Sequence, residues 1–129
     1  MEKAEKLSSG VHPFEHVRRF MIAGDHSVDG SSGEQADLYL NLIQEETVEF
    51  WSALEASDDI AMLDGIADSI WVMVGYALSR GWDIKGAYDE VARSNMSKVD
   101  KASGKLIKRE DGKVLKPESY SPPDLSSFI

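Results

Sequence analysis

Residues 60–80 constrain the fold more than any other stretch of the chain. Ile60, Leu63, Ile66, Ile70, Trp71, Met73, Val74, Tyr76, Ala77 and Leu78 recur at helical spacing and cover nearly every direction around a helix. Such a helix needs cover on most sides, which a chain of 129 residues provides more easily with a partner subunit. Two aspartates, Asp64 and Asp68, interrupt the run four residues apart and therefore share one face. An aspartate kept in apolar surroundings needs a partner or a metal ion, because burying the bare charge is strongly unfavourable. Gly65 and Gly75 each weaken a helix interior by about 1 kcal/mol, and the close approach of a neighbouring helix is a reason to tolerate them.

The flanking segments read as further helices. Residues 1–11 form a frayed start, and Pro13 then opens a short amphipathic helix carrying Phe14, Val17, Phe20 and Met21 up to Gly24. A Ser/Gly/Asp loop over 25–33 leads into a long helix over about 34–56, with Tyr39, Leu42, Ile43, Phe50 and Leu54 on its apolar side. Ser57, Asp58 and Asp59 resemble an N-cap, Gly81 ends the third helix, and Asp83 caps a fourth over about 84–98. Ala87, Tyr88, Val91 and Asn95 form the stripe of that fourth helix, so Asn95 continues an apolar face and must satisfy its amide. Beyond Val99 the periodicity stops. The sequence 110–113 reads as a turn between Leu106-Ile107 and Val114-Leu115, and Pro117, Pro122 and Pro123 favour an extended end with Tyr120, Leu125, Phe128 and Ile129 available for docking. The expectation is an all-α, four- to five-helix bundle, oligomeric, with a helical domain over 1–98 and an extended or hairpin-like basic tail over 99–129 that packs on the same domain or on a neighbouring subunit.

Composition removes several chemistries. The chain has no cysteine, which excludes disulfides, thiolate metal sites and cysteine nucleophiles. No stretch approaches the roughly 18 uninterrupted apolar residues of a membrane span, and residues 1–10 are too polar for a signal peptide, so a cytoplasmic protein without a membrane partner is expected. A net charge of −9 argues against a nucleic-acid partner. His12, His16 and His26 lie outside the acidic block and read as surface residues, and Trp51, Trp71, Tyr39 and Phe20 read as core rather than as base-stacking groups.

The charge is unevenly distributed. Between Arg19 and Arg80 no Lys or Arg occurs, while twelve acidic residues do; from 98 to 116 seven basic residues face three acids. Glu45, Glu49 and Glu46 stand at about 0°, 40° and 100° around their helix, in one sector beside the apolar stripe. Three like charges so placed repel and raise one another's pKa unless a cation neutralises them. Hard oxygen donors of this kind suit Mg²⁺ or Mn²⁺. Two antiparallel helices would bring Glu45, Glu46 and Glu49 opposite Asp64 and Asp68. The plainer alternative is a solvated acidic face that keeps the protein soluble or pairs with tail lysines.

The ordered motifs E-E-T-V-E-F, D-G-I-A-D-S-I-W-V, E-V-A-R-S-N-M-S-K and D-G-K-V-L-K-P together resemble the MazG-like all-α nucleoside triphosphate pyrophosphohydrolases, especially their short stand-alone bacterial and phage members. The resemblance implies a homodimer or homotetramer that hydrolyses a (d)NTP to (d)NMP and diphosphate with two or more Mg²⁺ ions, Mn²⁺ substituting. It implies a cytoplasmic setting in a bacterium or a phage-infected host cell. By the same resemblance Glu45, Glu46, Glu49 and Asp68 are metal ligands, with Glu45 or Glu46 also orienting or deprotonating the attacking water. Asn95 and Lys98 then contact sugar and phosphates, and Lys113 or Lys116 helps to balance the charge of the leaving diphosphate. The family commonly has Glu three residues before the equivalent of Asp68; here that position is Gly65, and Asp64 is the substitute ligand. A purine substrate such as dGTP or GTP, in nucleotide-pool control, is the favoured expectation. The alternatives are a dUTP-directed enzyme of the same fold and a non-catalytic acidic helical oligomer that binds a basic partner.

Overall fold

A computed structural model describes residues 10–129. Residues 1–9, and with them most of the expected frayed start, lie outside the described residues. The elements are α1 (Pro13–Ala23), α2 (Gly33–Glu55), α3 (Asp59–Ser79), α4 (Ile84–Met96) and a terminal 3-10 turn, Ser126–Phe128. The described residues contain no strand longer than an isolated bridge, and the fold is all-α. Every long helix begins on a side-chain cap. His12 Nδ1 accepts from Phe14 N–H, Ser32 Oγ from Gln35 N–H, Asp58 Oδ1 from Ala61 N–H and Asp83 Oδ1 from Gly86 N–H, at 3.2, 3.2, 3.0 and 2.9 Å. Each such cap satisfies a donor that would otherwise be orphaned and contributes about 1 kcal/mol.

The chain divides into two compact units, one running to Trp82 and the other spanning Asp83–Ile129. In the first, α2 and α3 run antiparallel along their length. Phe50 Cβ lies 3.3 Å from where a Cβ on Gly65 would stand, the ring of Tyr39 fills the space beside Gly75, and Gln35 Nε2 donates to Ser79 Oγ at 2.8 Å. Both glycines thus mark the expected close helix approach. The seam of α2 is Ala36, Tyr39, Ile43, Glu46, Phe50 and Ala53, all buried or half-buried at alternating three- and four-residue steps. On α3 it is Ala61, Gly65, Asp68, Val72, Gly75 and Ser79. Helix α1 packs on α3, with Val17 and Met21 buried and Phe20 edge-on to Trp71 at 5.5 Å.

The loop between α1 and α2 is fastened to the end of α3. Gln35 accepts from Ser27 N–H at 2.8 Å and donates to Ser27 O at 2.6 Å while also reaching Ser79. Gly30 and Gly81 both have positive φ, +83° and +73°, and a Cβ would meet Arg80 O from Gly30 and Asp29 O from Gly81, each at 2.7 Å. Two reasons, conformation and contact, therefore require glycine at each.

Helix α3 is packed by α1 and α2 and keeps one apolar side open in the single chain: Ile60 is 84% exposed and Leu63 68%, and Ile66, Ile70 and Met73 are exposed with them. It is long and apolar enough to cross a bilayer, yet it pairs along its length with α2 and carries Asp64 and Asp68, as the core helix of a bundle does. Of the four aromatic residues expected in the core, Tyr39 is buried and Trp71 half-buried, while Trp51 and Phe20 are exposed, because the seam turns toward Ala36, Tyr39 and Ala53. The histidines are half-buried and structural rather than surface groups: His12 caps α1, His26 Nδ1 lies 3.2 Å from Tyr39 Oη, and His16 Nε2 is buried without a hydrogen-bond partner.

In the second unit the terminal segment docks on α4. Asp83 N–H donates to Phe128 O at 2.8 Å, Asp124 N–H to Glu90 Oε2 at 2.8 Å, Arg93 to Pro122 O at 3.2 Å and Ser121 N–H to Ser97 Oγ at 2.8 Å. The inward stripe of α4 is consequently Ala87, Glu90, Ser94 and Ser97, not the expected stripe ending at Asn95, which is exposed. Between α4 and this segment the chain makes two antiparallel bridges, Val99 with Leu106 and Lys108 with Val114, the second closed by Gly112 at φ +88°.

Candidate active site

The seam of α2 and α3 carries carboxylates where a packed bundle carries apolar groups. Glu46 occupies a seam position on α2 and Asp68 one on α3, with Glu49 and Asp64 beside them. Desolvation pushes the Glu46 carboxyl up in pKa, and Glu49, Asp68 and Asp64 push it further by charge repulsion. Asp68 is raised for the same first reason, then by Asp64 and Glu49. Glu49 acts most strongly on Glu46, and Asp64 on Asp68, each raising its neighbour's pKa. One buried oxygen of Glu46, Oε2, has no hydrogen-bond partner among the described residues. A carboxylate oxygen in that state calls for a proton or a cation.

The donor set fits Mg²⁺ or Mn²⁺ in kind: the oxygens of four carboxylate side chains, with no lysine or arginine in sequence between Arg19 and Arg80. As the side chains stand, no group of three or more acidic or histidine residues among the described ones is arranged to hold an ion. The carboxyls repel one another, and either protons or a cation would relieve that repulsion.

Glu45 stands apart from this quartet. It is exposed on α2 and, with Asn41, Gln44, Val48 and Glu49, lines an open depression of about 500 Å³. Glu49 belongs to both the depression and the quartet, and so links them.

The remaining residues expected at the site belong to the second unit. Lys98 Nζ donates to Asn95 Oδ1 at 3.2 Å, which satisfies the exposed amide in part. Lys98 and Lys116 come together on Tyr120, their Nζ atoms 5.8 and 4.9 Å from its ring centroid. Lys113 is exposed, and its backbone N–H donates to Asp111 Oδ1 at 3.1 Å within the turn. Sequence reasoning missed Tyr120, which it read only as a docking group. The signal was there in the spacing of Lys116 and Tyr120, four apart, but Lys98 reaches the same ring only through the fold.

Comparison with known proteins adds the family. No curated protein matches the chain. The sequence does match the phosphoribosyl-ATP pyrophosphohydrolase family over residues 23–95, which takes in α2, α3 and α4 almost to its end and ends before Lys98. The match covers more than half of the chain and includes all five acidic residues singled out above. The chain therefore belongs to the phosphoribosyl-ATP pyrophosphohydrolase family, within the MazG-like all-α nucleotide pyrophosphohydrolases, and is a hydrolase.

Proposed function

We propose that the protein hydrolyses a nucleoside triphosphate, (d)NTP, to the monophosphate and diphosphate, with Glu46, Glu49, Asp64 and Asp68 holding two or more Mg²⁺ ions and Mn²⁺ able to replace them. The observation that carries this reading is the buried, unpartnered Oε2 of Glu46, set among three other carboxylates in a helix seam. Bound there, the ions supply positive charge against the triphosphate and Lewis acidity. Glu45, exposed beside the depression, takes the proton of the attacking water, so that the bond from the α-phosphorus to the bridging oxygen of the β-phosphate breaks and diphosphate leaves. Lys98 and Lys116, with Lys113 less closely held, take up charge on the phosphates, and Asn95 fixes Lys98 and the sugar.

The family's own name points to phosphoribosyl-ATP, whose extra phosphate asks for further cations; the expectation from the sequence is a purine nucleotide such as dGTP or GTP, with dUTP as the alternative. A panel of NTPs, dNTPs and phosphoribosyl-ATP with Mg²⁺ decides among them. Formation of no monophosphate from any member of the panel overturns the enzymatic reading and leaves an acidic helical binding protein.

A homodimer or homotetramer belongs to the same proposal. Ile60, Leu63, Ile66, Ile70 and Met73 make a continuous exposed apolar row on α3, and a hollow of about 250 Å³ lined by Phe50, Ile66, Ile70 and Met73 opens on it. A patch of this extent is unfavourable in water and suits a second copy of the chain. Light scattering at micromolar concentration reads the mass directly; a monomer there overturns the assembly.

A further inference from the structure

The outer face of α2, opposite the seam, carries Asp37, Asn41, Gln44, Val48, Trp51 and Glu55, which follow one another at the same three- and four-residue steps and are all exposed. Val48 is 65% and Trp51 57% exposed, an apolar pair set between the exposed carboxylates of Glu45 and Glu55. No lysine or arginine occurs in α2, and none of the ion pairs among the described residues involves an acid of this helix. An apolar patch bracketed by unneutralised carboxylates fits a partner surface that is both aliphatic and basic.

The second unit carries a surface of that kind. In the bridged turn between Val99 and Val114, Lys105, Leu106, Ile107 and Lys108 are consecutive and exposed, Leu106 and Ile107 each by 43%. Arg109 is neutralised by Asp111, whereas Lys105 and Lys108 take part in no ion pair among the described residues. Their backbone is held on both sides: Asp100 N–H donates to Lys105 O and Leu115 N–H to Ile107 O, each at 2.8 Å. In extended chain, residues three apart stand about 10 Å from one another, and ten residues of helix separate Glu45 from Glu55 by about 15 Å. Two lysines that bracket two aliphatic side chains thus match, in order and in scale, two glutamates that bracket Val48 and Trp51.

Both surfaces stay exposed in the single chain. We propose that the turn carrying Lys105 to Lys108 docks on the outer face of α2 in a second copy of this chain, with its lysines on Glu45 and Glu55 and its aliphatic side chains on Val48 and Trp51. In a two-fold pair the contact is made twice. It uses the side of α2 turned away from α3, so it does not compete with the exposed apolar row of α3 as an interface. The depression that Glu45 and Glu49 line belongs to the same face, so each copy borders the other's candidate site. The contact does not depend on the hydrolase reading, and the turn lies beyond the stretch that matches the family.

The test is zero-length cross-linking of an equal mixture of ¹⁵N-labelled and unlabelled full chain. A carbodiimide joins a lysine amine to a carboxylate in contact with it as an amide, with loss of water, and mass spectrometry of the peptides identifies the link. Links from Lys105 or Lys108 to Glu45 or Glu55 are expected between a labelled and an unlabelled peptide. Links confined to peptides of one label mean that the turn reaches its own chain, and they overturn the proposal, as does the absence of any link between these positions. Exchange of charges gives a second reading. Neither Lys105→Glu/Lys108→Glu nor Glu55→Lys can link the turn to position 55 alone, the first for want of an amine and the second for want of a carboxylate; mixed together, the two are expected to form that link. A mixture without it overturns the contact, provided each variant keeps the helical circular dichroism of the parent. Protection of Lys105 and Lys108 from acetylation by an added oligonucleotide, with none on raising the concentration of the chain, assigns the turn to a nucleic acid and overturns the proposal too. Monophosphate formation without mixed links sinks the contact alone, and mixed links without monophosphate from any substrate sink the hydrolase reading alone.

Discussion

Glu46 of α2 and Asp68 of α3 occupy facing positions in the antiparallel seam that Gln35–Ser79, Tyr39–Gly75 and Phe50–Gly65 define on either side. A seam at heptad spacing is stabilised by apolar side chains, and each polar member weakens it. Glu46 is the more exposed of the two to repulsion, since three acids surround it. Metal-free Glu46→Gln is therefore expected to be more stable than the parent, with a melting temperature higher by roughly 2–5 °C, because it keeps the shape and removes a charge with no donor. The same change is expected to lower turnover by about 100-fold or more. Thermal unfolding by circular dichroism measures the first effect, and a melting temperature below the parent's contradicts it.

The direction of the carboxyl shifts fixes a dependence on pH and metal. The folded pKa values of Glu46 and Asp68 lie above their ordinary values, so folding takes up protons in the interval between the two. Below the ordinary carboxylate range both states are protonated and the repulsion is absent; above the raised values it acts in full. The contribution of these groups thus becomes less favourable as pH rises through the interval. Mg²⁺ supplies at neutral pH what protons supply in acid, so the rise in melting temperature produced by Mg²⁺ is expected to be larger at pH 7 than at pH 4.5. An equal rise at both pH values counts against ion binding by the quartet.

Tyr39 sets a second limit on the seam. Its ring is 3% exposed and occupies the place of a side chain at Gly75, while its hydroxyl meets His26 Nδ1 at 3.2 Å. Gly75→Ala gains about 1 kcal/mol in helix propensity but forces the ring from a packed position, a change that costs about 1–3 kcal/mol and breaks the contact with His26. Net destabilisation is expected because the ring is held at both ends. Urea unfolding at unchanged m-value measures it; a variant as stable as the parent shows that the seam can open without loss.

How far the sequence foretold this arrangement differs between the two units. Helices α1 to α3 were legible to within one residue or so, because Pro13, Asp58 and Gly81 mark ends and the apolar spacing repeats over many turns. Of the five acids that the sequence groups together, Glu46, Glu49, Asp64 and Asp68 do act on one another, since Asp64 and Asp68 break an apolar run and Glu46 and Glu49 stand opposite, whereas Glu45, one residue from the seam position, is exposed beside them. What escaped was the place of Glu46 within the seam, because small residues such as Ala36 and Ala53 define its true direction and carry little weight in a hydropathy pattern. Helix α4 was read with the wrong face inward. Its partner is a terminal segment with no periodicity, held through polar contacts to Glu90, Arg93 and Ser97, and hydrophobic spacing cannot report a face that is packed by hydrogen bonds.

Those polar contacts have a measurable signature at Glu90. Its carboxylate accepts from Arg93 Nε at 2.5 Å and from Asp124 N–H at 2.8 Å, and the Arg93 bond, then the Asp124 bond, lower its pKa from 4.5 to about 2. A folded pKa below the unfolded one means that the stabilisation is present above about 4.5 and fades as pH falls toward 2. The carboxyl group should therefore titrate near 2 in NMR, and the Asp124 amide should lose protection from exchange over that interval before the amides of α2 and α3 do. Glu90→Gln keeps an acceptor but loses the charge, so it should weaken that protection at pH 7 without changing the helical signal of α2 and α3. Titration of Glu90 near its ordinary value, with Asp124 still protected at pH 3, means that other contacts, such as Asp83 with Phe128 O, hold the terminal segment on α4.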